Sequence, residues 1–284
     1  SSQGGGAQPI EITNAFASGG LVSTAEDMAR LAMVFTDGGA VDGGRILSSS
    51  AIRQMAVDQT ATTLRVGPPS FLRYGLGWDC VEDPALKSAG VLGWTKGGDT
   101  VDYHASFAIA PDDGLGVVVL GAGRSFSSIA AETVAQTILL NALVETGAIK
   151  KLPRKVGGTP GNGKVTATMA KAKIARITGT FLAQNGTLRL TKGKKRSVRA
   201  ATLVEGVWVK NPGRFVLRND GAFWSTEVAG TSIRSVRAWG RTYVEQRSLG
   251  GVGTYYSHVT RGQKTRPGGS LSPAWQARVG QQWL

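Results

Sequence analysis

Cysteine and histidine are almost missing from this sequence. Cys80 is the only cysteine, so no disulfide can close within the chain, and cysteine usage says little about redox compartment. His104 and His258 are the only histidines. That excludes a His-rich metal site, no cysteine pair can replace one, and neither metal nor cofactor is expected. Long apolar runs are missing too. A membrane span needs about 18 uncharged apolar residues. The nearest stretch, 129–144, is broken by Glu132, Thr133, Gln136, Thr137 and Asn141. The chain opens on Ser1 without Met or a basic, apolar leader, which predicts either a removed leader or a start inside a longer protein, the latter favoured by the motifs below.

Acidic residues are scarce in one half only. Residues 1–149 hold 8 Lys/Arg against 15 Asp/Glu, a net of −7, whereas residues 150–284 hold 25 against 4, a net of +21. The basic half could attract nucleic acid, an anionic membrane or an anionic cell-envelope polymer, or simply present a solvated face, since charge alone names no partner. No RNA-recognition or helix-turn-helix pattern accompanies it, so no nucleic acid is expected. The 284 residues, 41% of them apolar, suffice for about two domains, and 40 glycines fit many turns and short strands.

Ser23-Thr24-Ala25-Glu26 reads as a capping box, with Ser23 as N-cap, opening a helix whose stripe is Met28, Leu31, Ala32 and Phe35, ended by Gly38-Gly39. A shorter helix is expected over 49–57, burying Ile52 and Met55, then a loop over 58–73 with Gly67-Pro68-Pro69. Tyr74 to Trp78 reads as the start of a strand. His104 to Ala110, the turn Pro111-Asp112-Asp113-Gly114 and the apolar run Leu115 to Leu120 read as a hairpin whose second strand is central. A long helix over 127–146 should bury Ala131, Val134, Ala135, Ile138 and Ala142. Residues 150–173, rich in Lys, Gly, Pro and Thr, read as a linker. Beyond them short strands alternate with turns, which suggests a barrel or sandwich.

The segment Trp94-Thr95-Lys96-Gly97-Gly98-Asp99-Thr100 carries the chemistry. A Lys followed by two glycines on a strand suits an acyl substrate: the Lys supplies charge and a donor, and the glycines let substrate lie along the strand edge within reach of backbone N–H groups. The run Ser18-Gly19-Gly20-Leu21-Val22-Ser23-Thr24-Ala25-Glu26-Asp27-Met28-Ala29-Arg30 resembles a segment of the β-lactamase-related serine hydrolases, which include class C β-lactamases, D-alanyl-D-alanine carboxypeptidases and esterases. Gly43 to Ser48, Tyr74 to Trp78, Gly97 to Thr100 with Tyr103-His104, and Pro111 to Leu120 follow that family's pattern in order, over residues 15–146.

The resemblance implies an α+β fold: the C-terminal part of a β-lactamase/transpeptidase-like domain, an antiparallel sheet with helices, over 1–149. After the linker comes a small basic all-β barrel or sandwich over 174–284, whose Ile177-Thr178-Gly179-Thr180-Phe181 is loosely similar to lipocalin-like domains, with a closing helix near Ser272 to Gly280. It implies catalytic roles for Lys96, Gly98 and Asp99, the last through its backbone N–H as an oxyanion-hole donor. Gly97, Thr100, Tyr103 and His104 would bind substrate, although His104 reads first as a hydrogen-bonded structural residue. Location would be extracytoplasmic, by the family's habit. Asp99 is unusual where it stands, since an acid there repels an anionic substrate.

The family also needs a Ser-x-x-Lys helix and a Tyr-x-Asn or Ser-x-Asn loop, and neither occurs in these 284 residues. Thr168-Met169-Ala170-Lys171 has the spacing but lies in the linker. The expectation is therefore that the nucleophile-bearing N-terminal half of the domain is absent and that this chain alone turns nothing over. Other motifs are weak. Gly158 to Val165 lacks the Ser/Thr of a phosphate loop, Asn185-Gly186-Thr187 is first a turn, and Trp208, Trp224, Trp239 and Tyr243 read as barrel core rather than a stacking surface. Two readings stay open: a serine hydrolase acting on a small acyl substrate (amide, ester or β-lactam), or a non-catalytic penicillin-binding-like protein whose basic domain holds an anionic cell-envelope polymer.

Overall fold

The computed structural model describes residues 11, 18–62, 73–160, 163–183, 186–266 and 272–278. Gly67-Pro68-Pro69, Gly161-Asn162 and Asn185 lie outside them. The chain divides into two compact units, Ser1–Gly158 with Ser248–His258, and Thr159–Arg247 with Val259–Leu284.

In the first unit, helix α1 (Ala25–Thr36) is capped one residue later than the capping box suggested. Thr24, not Ser23, accepts the Asp27 N–H at 3.1 Å, and its hydroxyl donates to Asp27 Oδ2 at 3.1 Å, so the N-cap is a Thr24–Asp27 pair. Its buried residues are Ala32, Val34 and Phe35, with Leu31 exposed. At Gly39 φ is +105°, and a Cβ would lie 1.9 Å from the Leu47 carbonyl oxygen, so only glycine fits. The hairpin β1 (Ala40–Val41) and β2 (Gly44–Arg45) leads to α2 (Ser49–Met55), which Ser48 caps and which buries Ile52. Tyr74 to Trp78 is a turn rather than a strand. The Gly75 N–H bonds the Trp78 carbonyl at 3.0 Å, and pairing starts only where Cys80 meets Arg73 and Thr95.

After α3 (Pro84–Ser88) come β3 (Trp94–Asp99), β4 (Tyr103–Ala110) and β5 (Leu115–Ala122), antiparallel in the order β3-β4-β5. The central strand is β4, not β5. The apolar run of β5 has another cause: α1 and α4 (Ser128–Glu145) cover the sheet, so both its faces meet apolar side chains. Phe107 and Ile109 of β4 join Ala32, Phe35, Trp78 and Trp94 in one core cluster, while Ala108 and Ala110 join Leu86, Ala135, Leu139 and Leu143 in the other. Helix α4 buries Ala131, Ala135, Gln136, Leu139, Leu140 and Leu143, but Val134 and Ile138, expected inside, are exposed. Polar and apolar residues are spread around the whole helix, so periodicity could not select the face that the sheet selects.

Residues 248–258 belong to this unit although they come late in the chain. Val252 and Tyr255 pack on the α4 cluster, the Val156 N–H bonds the Gly253 carbonyl at 2.9 Å, and Gly251 sits so close to Thr133 that a Cβ would meet its Oγ1 at 1.8 Å.

The second unit opens with α5 (Ala167–Ile177), inside the segment read as a linker. Thr166 caps it by accepting the Met169 N–H at 3.1 Å, so Thr168 and Lys171 are helical. Strands β6 (Gly179–Ala183), β7 (Gly186–Lys192), β8 (Ser197–Val204), β9 (Val207–Lys210), β10 (Phe215–Leu217), β11 (Phe223–Ser225), β12 (Ser232–Ala238), β13 (Arg241–Leu249) and β14 (Tyr256–Lys264) form one sheet in the order β10-β11-β12-β13-β14-β6-β7-β8-β9. A further pairing of β10 with β8 closes the ring, which makes a barrel rather than a sandwich. Ala170 and Ile177 of α5 fill its core with Phe181, Leu190, Val198, Phe223, Ile233 and Val244. Of the aromatics expected inside, only Trp224 is buried. Trp208 lies under the Arg189 guanidinium, 3.7 Å from its ring centre, and Trp239 is half exposed against Tyr243. The closing helix is the short α6 (Pro273–Gln276).

Candidate active site

Strand β3 enters the core at Trp94 and Thr95 and emerges at Lys96. Behind it Trp78 stacks on Phe107 with ring centres 5.4 Å apart and meets Phe35 edge-on at 4.9 Å, which fixes the strand from below. The Thr95 N–H points away from β4 to the Cys80 carbonyl at 2.7 Å, and the Gly97 N–H points the same way to Asp79 Oδ2 at 2.7 Å. Strand alternation aims the Asp99 N–H toward that outer edge as well.

Asp79 Oδ2 also takes the Lys96 ammonium at 3.2 Å. The Asp99 carboxylate turns to Nδ1 of the buried His104, its partner across the β3–β4 pair. Thr100 closes the turn by accepting the Tyr103 N–H at 3.0 Å. All seven residues singled out in the sequence, Lys96, Gly97, Gly98, Asp99, Thr100, Tyr103 and His104, line one cavity of about 880 Å³, along with the Gly19-Gly20 loop. A Cβ on Gly97 or Gly98 would meet nothing closer than 3.5 Å, so the strand's own packing does not require these glycines.

Sequence reasoning missed three carboxyl groups on the cavity wall, Asp79, Glu132 and Glu11. Only the fold brings them there: Asp79 is 17 residues before Lys96, Glu11 Oε1 accepts the Asp102 N–H 91 residues away, and Glu132 meets the Tyr255 hydroxyl 123 residues on. Beneath Glu132, the buried Asp83 caps α3 through the Ala85 and Leu86 N–H groups and accepts the Gln136 amide at 2.8 Å. Burial pushes the Asp83 carboxyl up. Burial, then the charges of Asp83 and Asp79, push Glu132 up to about 7. Burial pushes the Cys80 thiol to about 12, which leaves it protonated and unfit as a nucleophile although it lines the cavity. No cluster of metal ligands occurs among the described residues.

The Beta-lactamase family model matches residues 2–137, the stretch that holds the β3 strand and its cavity. This part of the chain belongs to the β-lactamase-related serine hydrolase family. The chain is also similar to solved structures. SurE is 17% identical over 90% of this chain and 53% of its own, with a TM-score of 0.50. The octameric penicillin-binding protein homologue from Pyrococcus abyssi is 13% identical over 81% of this chain and 44% of its own, with a TM-score of 0.36. The chain thus spans about half the length of these structures. No curated protein matches it.

Proposed function

We propose that the β-lactamase-like unit supplies the substrate-binding strand of an acyl-serine hydrolase acting on an amide, ester or β-lactam. The observation that supports it is the end of the β3 outer edge beyond Gly97, where the Asp99 N–H, the Lys96 ammonium and two side-chain-free residues stand on one cavity. There the N–H would stabilise the oxyanion, Lys96 would hold a substrate or polarise the proton network, and Gly98 would give clearance. No Ser-x-x-Lys occurs in these 284 residues, so the nucleophile of this reaction would come from outside them. The test is the coding sequence upstream. It should encode Ser-x-x-Lys followed by Tyr-x-Asn or Ser-x-Asn, and the protein it encodes should take up a fluorescent penicillin or cleave a chromogenic ester. A protein lacking that Ser, or inert to both reagents, would sink the reading.

A second reading concerns the barrel unit. Arg189, Ala201 and Lys210 stand in one cross-strand row of β7, β8 and β9, with Arg199 two residues along on the same face. Such a row suits an anionic cell-envelope polymer, in keeping with an extracytoplasmic location. No described helix is long and apolar enough to cross a membrane. Salt-sensitive retention on an anionic polysaccharide, abolished by Arg189→Glu with Lys210→Glu, would support the reading, and retention unchanged by the pair would remove it.

A further inference from the structure

The cavity beside Lys96 is richer in carboxyl groups than in cations. Glu11, Asp79, Asp99 and Glu132 line it, against Lys96 and His104. Two of the four carboxyls are matched within the chain, Asp79 by Lys96 at 3.2 Å and Asp99 by the His104 ring. The other two meet no cation among the described residues. Glu11 Oε1 accepts the Asp102 N–H at 3.1 Å, and its Oε2 is buried without a hydrogen-bond partner among the described residues. Glu132 Oε1 meets only the Gln136 amide at 3.1 Å and the Tyr255 hydroxyl at 3.4 Å. Lys96, the one permanent cation on the wall among the described residues, is already engaged.

Resting on the reading of this cavity as an acyl site, we propose that its substrate carries a protonated amine, as in an aminoacyl ester or amide, with Glu132 and Glu11 receiving the ammonium. A carboxylate-bearing acyl group would bring a further negative charge to a partly desolvated wall that already holds four carboxyl groups against a single lysine. An ammonium supplies what the wall lacks.

The proposal carries its own pH signature. The groups facing Glu132 among the described residues are Asp83 and Asp79 from the stretch ahead of α3, the Cys80 thiol from that same stretch, Tyr255 from the 248–258 segment and Gln136 one turn along α4, and none is a cation. Glu132 therefore holds its proton up to about pH 7. An ammonium beside it favours the ionised form, so binding below that pH releases a proton, and affinity rises with pH until Glu132 is already ionised.

The test is calorimetric titration of the 284-residue chain with alaninamide, N-acetylalaninamide and N-succinylalaninamide, kept below the α-amino pKa of about 7.7–8.0. Alaninamide should bind at least about tenfold more tightly than either acylated form, and its affinity should climb by up to about tenfold from pH 6 to pH 7 and then flatten. Glu132→Gln should flatten the pH profile and remove most of the preference. Glu11→Gln should weaken the preference but keep the profile, with unchanged circular dichroism in both variants. Equal or tighter binding of the acetyl or succinyl form overturns the proposal and leaves the acyl site standing. So does a preference that both variants retain. If none of the three probes binds, the proposal falls, while the acyl site itself stands or falls by the penicillin and ester tests on the complete protein.

Discussion

The carboxylate of Asp79 holds the ammonium of Lys96 at 3.2 Å while the same oxygen takes the Gly97 N–H at 2.7 Å. One side chain from the stretch ahead of α3 thus fixes both the position of the charge and the path of the strand edge.

Removing the charge and removing its anchor should therefore differ. In the complete hydrolase, Lys96→Ala should lower acylation by about 10²–10⁴-fold. Asp79→Asn can still accept from both partners and should lower it by about tenfold or less, since exposed ion pairs contribute only about 0–1 kcal/mol. Penicillin-labelling rates of the two variants check this, and equal losses would count against the assigned order.

The glycines of the first unit should fall into two classes. Gly39→Ala combines a φ of +105° with a Cβ 1.9 Å from a carbonyl oxygen and should destabilise by more than about 2 kcal/mol. Gly98→Ala meets nothing closer than 3.5 Å and should leave the melting temperature nearly unchanged while impairing substrate acylation. Thermal melts beside labelling assays separate the two effects.

The buried carboxyls predict an acid-favoured fold. Glu132 is raised in the folded protein from 4.5 to about 7, so its stabilising contribution is fully present below its unfolded value and is lost as pH rises to about 7. Asp83 is raised too and acts in the same direction. Between about pH 4.5 and 7.5 the Glu132 share of that loss is about 3 kcal/mol at most. Urea midpoints measured across this range should fall with rising pH, and Glu132→Gln should flatten the trend.

Gln136→Leu should cost about 1–3 kcal/mol, because it strips the 2.8 Å amide donor from an Asp83 carboxyl that is only 1% exposed. Pairing it with Asp83→Asn should recover part of that loss in urea denaturation, since the neutral amide carries no charge that needs the donor.

The parts of the fold readable in the sequence were those set by local rules. The helices expected over 49–57 and 127–146 form as Ser49–Met55 and Ser128–Glu145, capped by Ser48 and Ser127, and Pro111 to Gly114 turns the β4–β5 hairpin. Helix α5 was hidden because Lys171 and Lys173 give its stretch the composition of a linker, while only Ala170 and Ile177 are fully buried. The strand containing Lys96 could be picked out only because Lys-Gly-Gly, a common loop tripeptide by itself, stands in order among the family-like runs at Ser18 to Arg30, Tyr74 to Trp78 and Pro111 to Leu120. Asp79, Glu132 and Glu11 could not, because each reaches the cavity through long-range packing that no local pattern encodes.

The placement of Tyr255 with the first unit means that the chain visits that unit twice, with most of the barrel between the visits. The gene's order is therefore not the order of independent modules. A chain cut after Lys150 would leave the Gln136 and Glu132 polar cluster without its phenol and the α4 core without Val252. The first unit can complete its packing only after residue 255 has been made, which ties its maturation to the chain that follows it.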